Sequence, residues 1–186
     1  MSKAVMISIR PQWCELIAAG KKTIEVRKNR PKLEPPFKCY IYCTGGPMMY
    51  SAAINYGRQM VIGEFVCDRI LDIVISSSDP NMSGYPFPGT GLTDREIMDY
   101  LGNGKTGYGW HISELVIYDK PQPLSWFATE GDCDCMNCAA CSWFNRGNGY
   151  NVEDDCDLGY ESIRMKNSLK PLFRPPQSWC YVEDLL

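Results

Sequence analysis

The chain has a single histidine, His111, and none near its cysteine-rich segment, which argues against an open catalytic zinc there. It has no run approaching the roughly 20 apolar residues of a membrane span. No secretory signal pattern is visible at the N-terminus, so a cytoplasmic protein is expected, with no membrane partner. There is no internal repeat. Disorder is excluded as well: 45% of the 186 residues are hydrophobic and 12% aromatic, enough for a real core. The net charge of −3 excludes wholesale wrapping of nucleic acid but leaves room for a local basic patch.

Such a patch is present. Lys21, Lys22, Arg27, Lys28, Arg30 and Lys32 crowd one segment in which Glu25 is the only acid. From Glu130 to Asp157 the balance inverts: Glu130, Asp132, Asp134, Glu153, Asp154, Asp155 and Asp157 face only Arg146. Asymmetry of this kind is a statement about partners, with the basic segment suited to phosphates.

The basic segment follows a strand end and a short helix. Pro11 suits the first helical position, Trp13, Leu16 and Ile17 share one helix face, and Gly20 is a natural stop. A strand follows in which Ile24 and Val26 point one way and Thr23, Glu25 and Arg27 the other. The spacing Gly20, Lys22, Glu25, Arg27 (G-x-K-x-x-E-x-R) resembles the signature of the ASCH family, a branch of the PUA-like β-barrels associated with RNA and modified nucleosides.

Further strands are expected at 4–9, 39–43, 60–75 and 107–118, with a second helix opened by the capping box Thr93-Asp-Arg-Glu96 and continued by Ile97, Met98 and Leu101. Pro121 and Pro123 interrupt the pattern, and a last strand follows Pro176. The phrases Gly107–Tyr118 and Pro176–Val182 also resemble the later strands of ASCH proteins. The expected fold is therefore α+β, mainly β: a small PUA-like barrel with two or three short helices. Residues 1–125 and 175–186 form the barrel, and 126–174 a cysteine-rich acidic insertion.

The insertion holds Cys133, Cys135, Cys138 and Cys141, with Cys156 further on. C-x-x-C turns project both sulfurs to one point, and a segment with so few long apolar side chains needs a staple to order itself. A structural zinc on Cys135, Cys138, Cys141 and Cys156 is expected, with Cys133 as the alternate ligand. Disulfides, free thiols or an iron–sulfur cluster are the alternatives. Cys14, Cys39, Cys43, Cys67 and Cys180 stand singly in a helix or strands and read as small buried hydrophobes.

Two positions outside the signature stand out. Trp110 and His111 follow Gly107 and Gly109, which permit close approach of a flat ligand, so Trp110 is a candidate for base stacking; its alternation with Ile112 equally fits the core. Glu64 shares a predicted strand face with Ile62 and Val66 and is expected either to find a cation, for which Lys22 and Arg27 are the candidates, or to be protonated.

The resemblance implies a cleft edged by the signature that binds RNA or a modified nucleotide. Arg10, Lys22 and Arg27 would take phosphate or a carbonyl oxygen, Glu25 would orient Arg27 or accept from a base edge, and Trp110 and His111 would line the ligand. In related amidohydrolases that deacetylate acetylated cytidine, the lysine matching Lys22 activates a threonine three residues on; Glu25 occupies that place here. The enzyme alternative is thus a ribonuclease or amidohydrolase using Lys22 with Glu25 or Glu64. A third alternative is a protein-interaction module acting through the acidic insert.

Overall fold

The computed structural model describes residues 3–45, 58–74, 87–130 and 169–184. The strands are β1 (Lys3–Ile9), β2 (Ile24–Arg27), β3 (Phe37–Cys43), β4 (Met60–Val74), β5 (Thr106–Pro123), β6 (Ala128–Glu130), β7 (Leu169–Pro171) and β8 (Trp179–Glu183). The helices are α1 (Pro11–Ala18) and α2 (Asp94–Leu101), with a 3-10 turn at Leu124–Trp126. Six strands form one sheet in the order β2-β5-β4-β3-β1-β8, and β6 and β7 pair separately. The fold is mainly β with few helices, as expected.

Local chemistry accounts for the helix boundaries. Proline opens α1, and Gly20, at φ +68°, lets the chain turn back so that Lys21 and Lys22 both donate to the Leu16 carbonyl. In α2 the Thr93 hydroxyl accepts from the Glu96 N–H while the Glu96 carboxylate accepts from the Thr93 N–H, which is the predicted capping box. Ile97 and Leu101, one turn apart, then pack on Val26 and Ile73.

The sheet is open in its hydrogen bonding among the described residues: its ends are β2 and β8, which do not pair. β1 pairs parallel with β3 and antiparallel with β8, so Trp179 and Tyr181 complete the sheet begun by β1 as expected. The main core holds Val5, Ile7, Ile41, Phe65 and Trp110 between the sheet and α1. A second cluster around Met6, Tyr40, Val61 and Phe127 lies on the other face of β1.

Two expectations from alternation are corrected. Pro121 and Pro123 do not end a strand, since β5 continues through them, with Pro123 opposite Met60. β2 covers only Tyr108–His111 of β5, so beyond that stretch one side of β5 needs no ladder donors and proline is tolerated. Against β3 the register of β4 shifts between Val61 and Gly63, a bulge at Ile62. Gly63 is required there because a Cβ would land on the Val116 carbonyl.

Candidate functional site

The alternation predicted for β2 is present, but neither face is solvated. Val26 lies beneath α2, and Glu25 and Arg27 turn to the opposite, interior side. Lys22, Glu25 and Arg27 are 2%, 6% and 7% exposed. They form one ion network: Glu25 Oε1 lies 2.9 Å from Arg27 Nη2, and Oε2 lies 3.2 Å from Lys22 Nζ. A buried carboxylate is tolerable only with such partners. Of the two roles expected for Glu25, orienting Arg27 or accepting from a base edge, this geometry matches the first.

The network is fastened at both ends by backbone oxygens. Lys22 Nζ donates to the Ile24 carbonyl at 2.8 Å and the Thr90 carbonyl at 2.6 Å, and lies 5.6 Å from the Trp13 ring centroid. An ammonium has three N–H groups and no acceptor; two go to these carbonyls, while Glu25 Oε2 pairs with it by charge and makes no hydrogen bond among the described residues. Arg27 Nη2 donates to the Ser8 carbonyl at 2.7 Å and Nη1 to Ser178 Oγ at 3.4 Å. Ser8 N–H in turn donates to the Ser178 carbonyl. Arg27 therefore bridges the β2 end of the sheet to the β1–β8 end, where no ladder connects them.

Lys22 and Arg27, expected at an open phosphate site, are committed to these interior partners. Sequence reasoning did not single out Ser8, Thr90 or Ser178. Two of these contribute backbone carbonyls, which any residue type supplies, so no side-chain pattern marks them.

Trp110 is fully buried, edge-on to Phe37 at 5.9 Å and tilted against Trp179 at 5.9 Å. It is a core residue, and the expected stacking platform is corrected accordingly: its place opposite Glu25 turns the indole inward. The indole Nε1 and Arg27 Nε are both buried without a hydrogen-bond partner among the described residues. Half-buried His111 has Nδ1 2.6 Å from Asp68 Oδ1, a partner that no sequence motif announced.

Glu64 does not meet Lys22 or Arg27. It accepts from the Tyr118 hydroxyl at 2.6 Å and lies 3.7 Å from Lys38. The bulge at Ile62 breaks the alternation that had placed Ile62 and Glu64 on one face. Lys38 also pairs with Asp184 at 3.3 Å, and Asp184 accepts from Tyr40 at 2.7 Å. Burial first, then the neighbouring carboxylates, push both tyrosines up.

Outside the buried network lie exposed cations. Arg10, Lys21, Lys28, Arg30 and Lys32 are all exposed. Lys28 Nζ stands 5.1 Å from the Tyr100 ring centroid, and the Arg30 guanidinium 5.9 Å from that of Tyr108, which is opposite Arg27 in the β2–β5 register.

Among the described residues no group of His, Cys, Asp or Glu is arranged to hold a metal, and no helix is long and apolar enough to cross a membrane. Cys133, Cys135, Cys138, Cys141 and Cys156 lie outside the described residues.

Comparison with known proteins agrees with this architecture. Residues 7–73 match the family model of the ASCH domain. No curated protein matches the chain significantly. The fold is similar to the crystal structure of ASCH from Zymomonas mobilis, with a TM-score of 0.54 and 16% identity over 97% of this chain and 87% of that one. A tyrosine-to-phenylalanine mutant of that protein gives a TM-score of 0.50 at 16% identity, covering 98% of this chain and 91% of that one. Over residues 7–73 the sequence is similar to the ASCH domain, and the fold over nearly the whole chain is similar to that of a solved ASCH protein.

Proposed function

We propose that the chain binds RNA or a modified nucleotide, with Lys28 and Arg30 contacting phosphate and Tyr100 and Tyr108 receiving bases beside them. The observation that carries this is the pair of exposed cations seated over tyrosine rings, Lys28 over Tyr100 of α2 and Arg30 over half-buried Tyr108 of β5. Such pairs offer both charge for the backbone and π-faces for bases. Arg10 and Lys32, exposed on neighbouring segments, extend the charge.

Binding is favoured over hydrolysis because Lys22 is occupied. Lys22 Nζ donates to two backbone carbonyls and faces the Glu25 carboxylate, so it is aimed into the interior and not towards a substrate proton, as a base for a ribonuclease or amidohydrolase must be. Glu25, holding two cations, is likewise spoken for. The buried network in this proposal sets the sheet geometry on which the exposed cations are displayed.

The cysteine-rich segment is proposed to be a separate insertion with a structural zinc on Cys135, Cys138, Cys141 and Cys156, Cys133 being the alternate. The β6–β7 pairing supports the insertion, since Ala128 opposite Pro171 and Glu130 opposite Leu169 hold its two ends together. Its acidity suits it to shielding the exposed cations or docking a protein partner, not to touching phosphates.

The test is fluorescence anisotropy with a single-stranded RNA. Lys28→Ala and Arg30→Ala should each weaken binding and lower the salt slope by about 0.7 per lost phosphate contact. Tyr100→Ala should cost roughly 1–3 kcal/mol if a base stacks there. Unchanged affinity and slope in all three would exclude these residues as the binding surface.

A further inference from the structure

Three buried polar atoms are left over by the ion network and its neighbours. Glu25 Oε2, Arg27 Nε and Trp110 Nε1 are each buried and make no hydrogen bond among the described residues. Their side chains belong to residues 6%, 7% and 0% exposed, so bulk solvent does not satisfy them. A buried donor or acceptor left unpaired is costly, and costlier when it carries charge.

The strand register brings the three atoms to one place. Glu25 stands directly opposite Trp110 in the β2–β5 ladder, and Arg27 lies two residues further along the same face of β2. From there the two long side chains run side by side towards consecutive residues at the start of β8. Arg27 Nη1 donates to Ser178 Oγ at 3.4 Å, and the Trp110 ring meets the Trp179 ring at 5.9 Å. Arg27 Nε and Trp110 Nε1 therefore fall part-way along neighbouring paths. Glu25 is held against the same guanidinium, with Oε1 2.9 Å from Nη2, which leaves Oε2 as the remaining acceptor.

We propose that one internal water molecule sits among these atoms, accepting from Trp110 Nε1–H and Arg27 Nε–H and donating to Glu25 Oε2. The donor set selects the occupant. Two N–H groups need an oxygen with two lone pairs, which a metal cation or an ammonium does not offer, and the Glu25 carboxylate repels an anion at the same point. A neutral O–H group meets both demands. Buried waters make about three hydrogen bonds, typically to groups that are otherwise unsatisfied, and three such groups converge here. The water joins the β5 indole to the fastening that Arg27 makes between β2 and the β1–β8 end. It also gives Oε2 a hydrogen bond, where Lys22 Nζ at 3.2 Å supplies charge alone.

The test is nuclear Overhauser spectroscopy on the isotope-labelled full chain, reading transfer from water to side-chain N–H protons. The Trp110 indole and Arg27 Nε protons should each show a cross-peak to water with the sign of a rigid interior contact. The Trp126 indole, on a residue 56% exposed, meets fast-moving surface water and should show the opposite sign or none. Both interior cross-peaks should persist in Ser178→Ala, which removes the hydroxyl that Arg27 contacts as an alternative source of the transfer. A crystal structure is the second readout and decides alone if that variant does not fold: one oxygen should lie within about 3.2 Å of all three atoms. Absence of the cross-peaks in the wild type, their loss in Ser178→Ala, or a crystal in which these atoms pair with each other or with a larger molecule overturns the proposal.

Discussion

Replacing Glu25 by glutamine is the sharpest perturbation of the buried network. It keeps the side-chain shape but removes the only negative charge between Lys22 and Arg27, leaving two cations confined where the carboxylate is 8% exposed. Breaking a buried pair by removing one partner costs about 3–5 kcal/mol. Lys22 keeps two carbonyl acceptors and Arg27 one carbonyl and one hydroxyl, which places the variant near the lower end. A loss of about 3 kcal/mol with a urea slope of about 2 kcal/mol/M lowers the unfolding midpoint by ~1.5 M. The exposed Lys3–Glu130 pair, 46% and 66% exposed at 3.1 Å, is the comparison: Lys3→Ala should cost at most ~1 kcal/mol. Urea titrations followed by tryptophan fluorescence read both. A Glu25→Gln midpoint within experimental error of wild type would refute the claim that this carboxylate holds the sheet ends together.

Trp110→Ala should cost about 3–5 kcal/mol of stability, as expected for a fully buried aromatic, while any variant still folded binds RNA like wild type; lost affinity in a folded variant would return the indole to the ligand site. Thr93→Ala should lower stability by about 1 kcal/mol through loss of the α2 cap, visible as a shifted thermal midpoint. At high pH the folded chain holds protons that the unfolded chain releases: burial raises Cys67 from its ordinary 9.0 to about 12 and Cys180 to about 11. Their stabilisation is complete below pH 9 and is lost as pH rises towards 11–12, so the urea midpoint should fall over that range, and less steeply in Cys67→Ala. Metal analysis of the purified chain should find about one zinc, lost on replacing Cys138 and Cys141 by serine; a metal-free wild-type chain would remove the zinc module.

How much of this was legible depends on whether the signal was local. The α1 start at Pro11, the stop at Gly20 and the α2 capping box are read from a few consecutive residues, and each stands where expected. Strand existence followed from alternation, which also placed Val26 and Glu25 on opposite faces. What alternation does not contain is which face meets water. Glu25 and Arg27 look solvated in one dimension, yet they face inward because α2 covers the other side and Arg27 reaches residues far away in sequence, Ser8 and Ser178. Glu64 failed for a different reason. A single bulged residue, Ile62, puts Glu64 on the other face, and nothing in the alternation of the sequence announces it.

The G-x-K-x-x-E-x-R spacing then has a structural meaning of its own. Gly20 turns the chain out of α1, so that Lys22 arrives beside the Thr90 carbonyl. Three residues on, Glu25 neutralises it, and two further on, on the same face of β2, Arg27 crosses to β1. Each spacing satisfies a geometric demand of the interior before any ligand is present. Just outside the pattern Lys28 and Arg30 are exposed, the strand having ended at Arg27. The signature-like spacing is accordingly the fastening, and the ligand contact proposed above falls on neighbouring residues that this fastening holds at the surface.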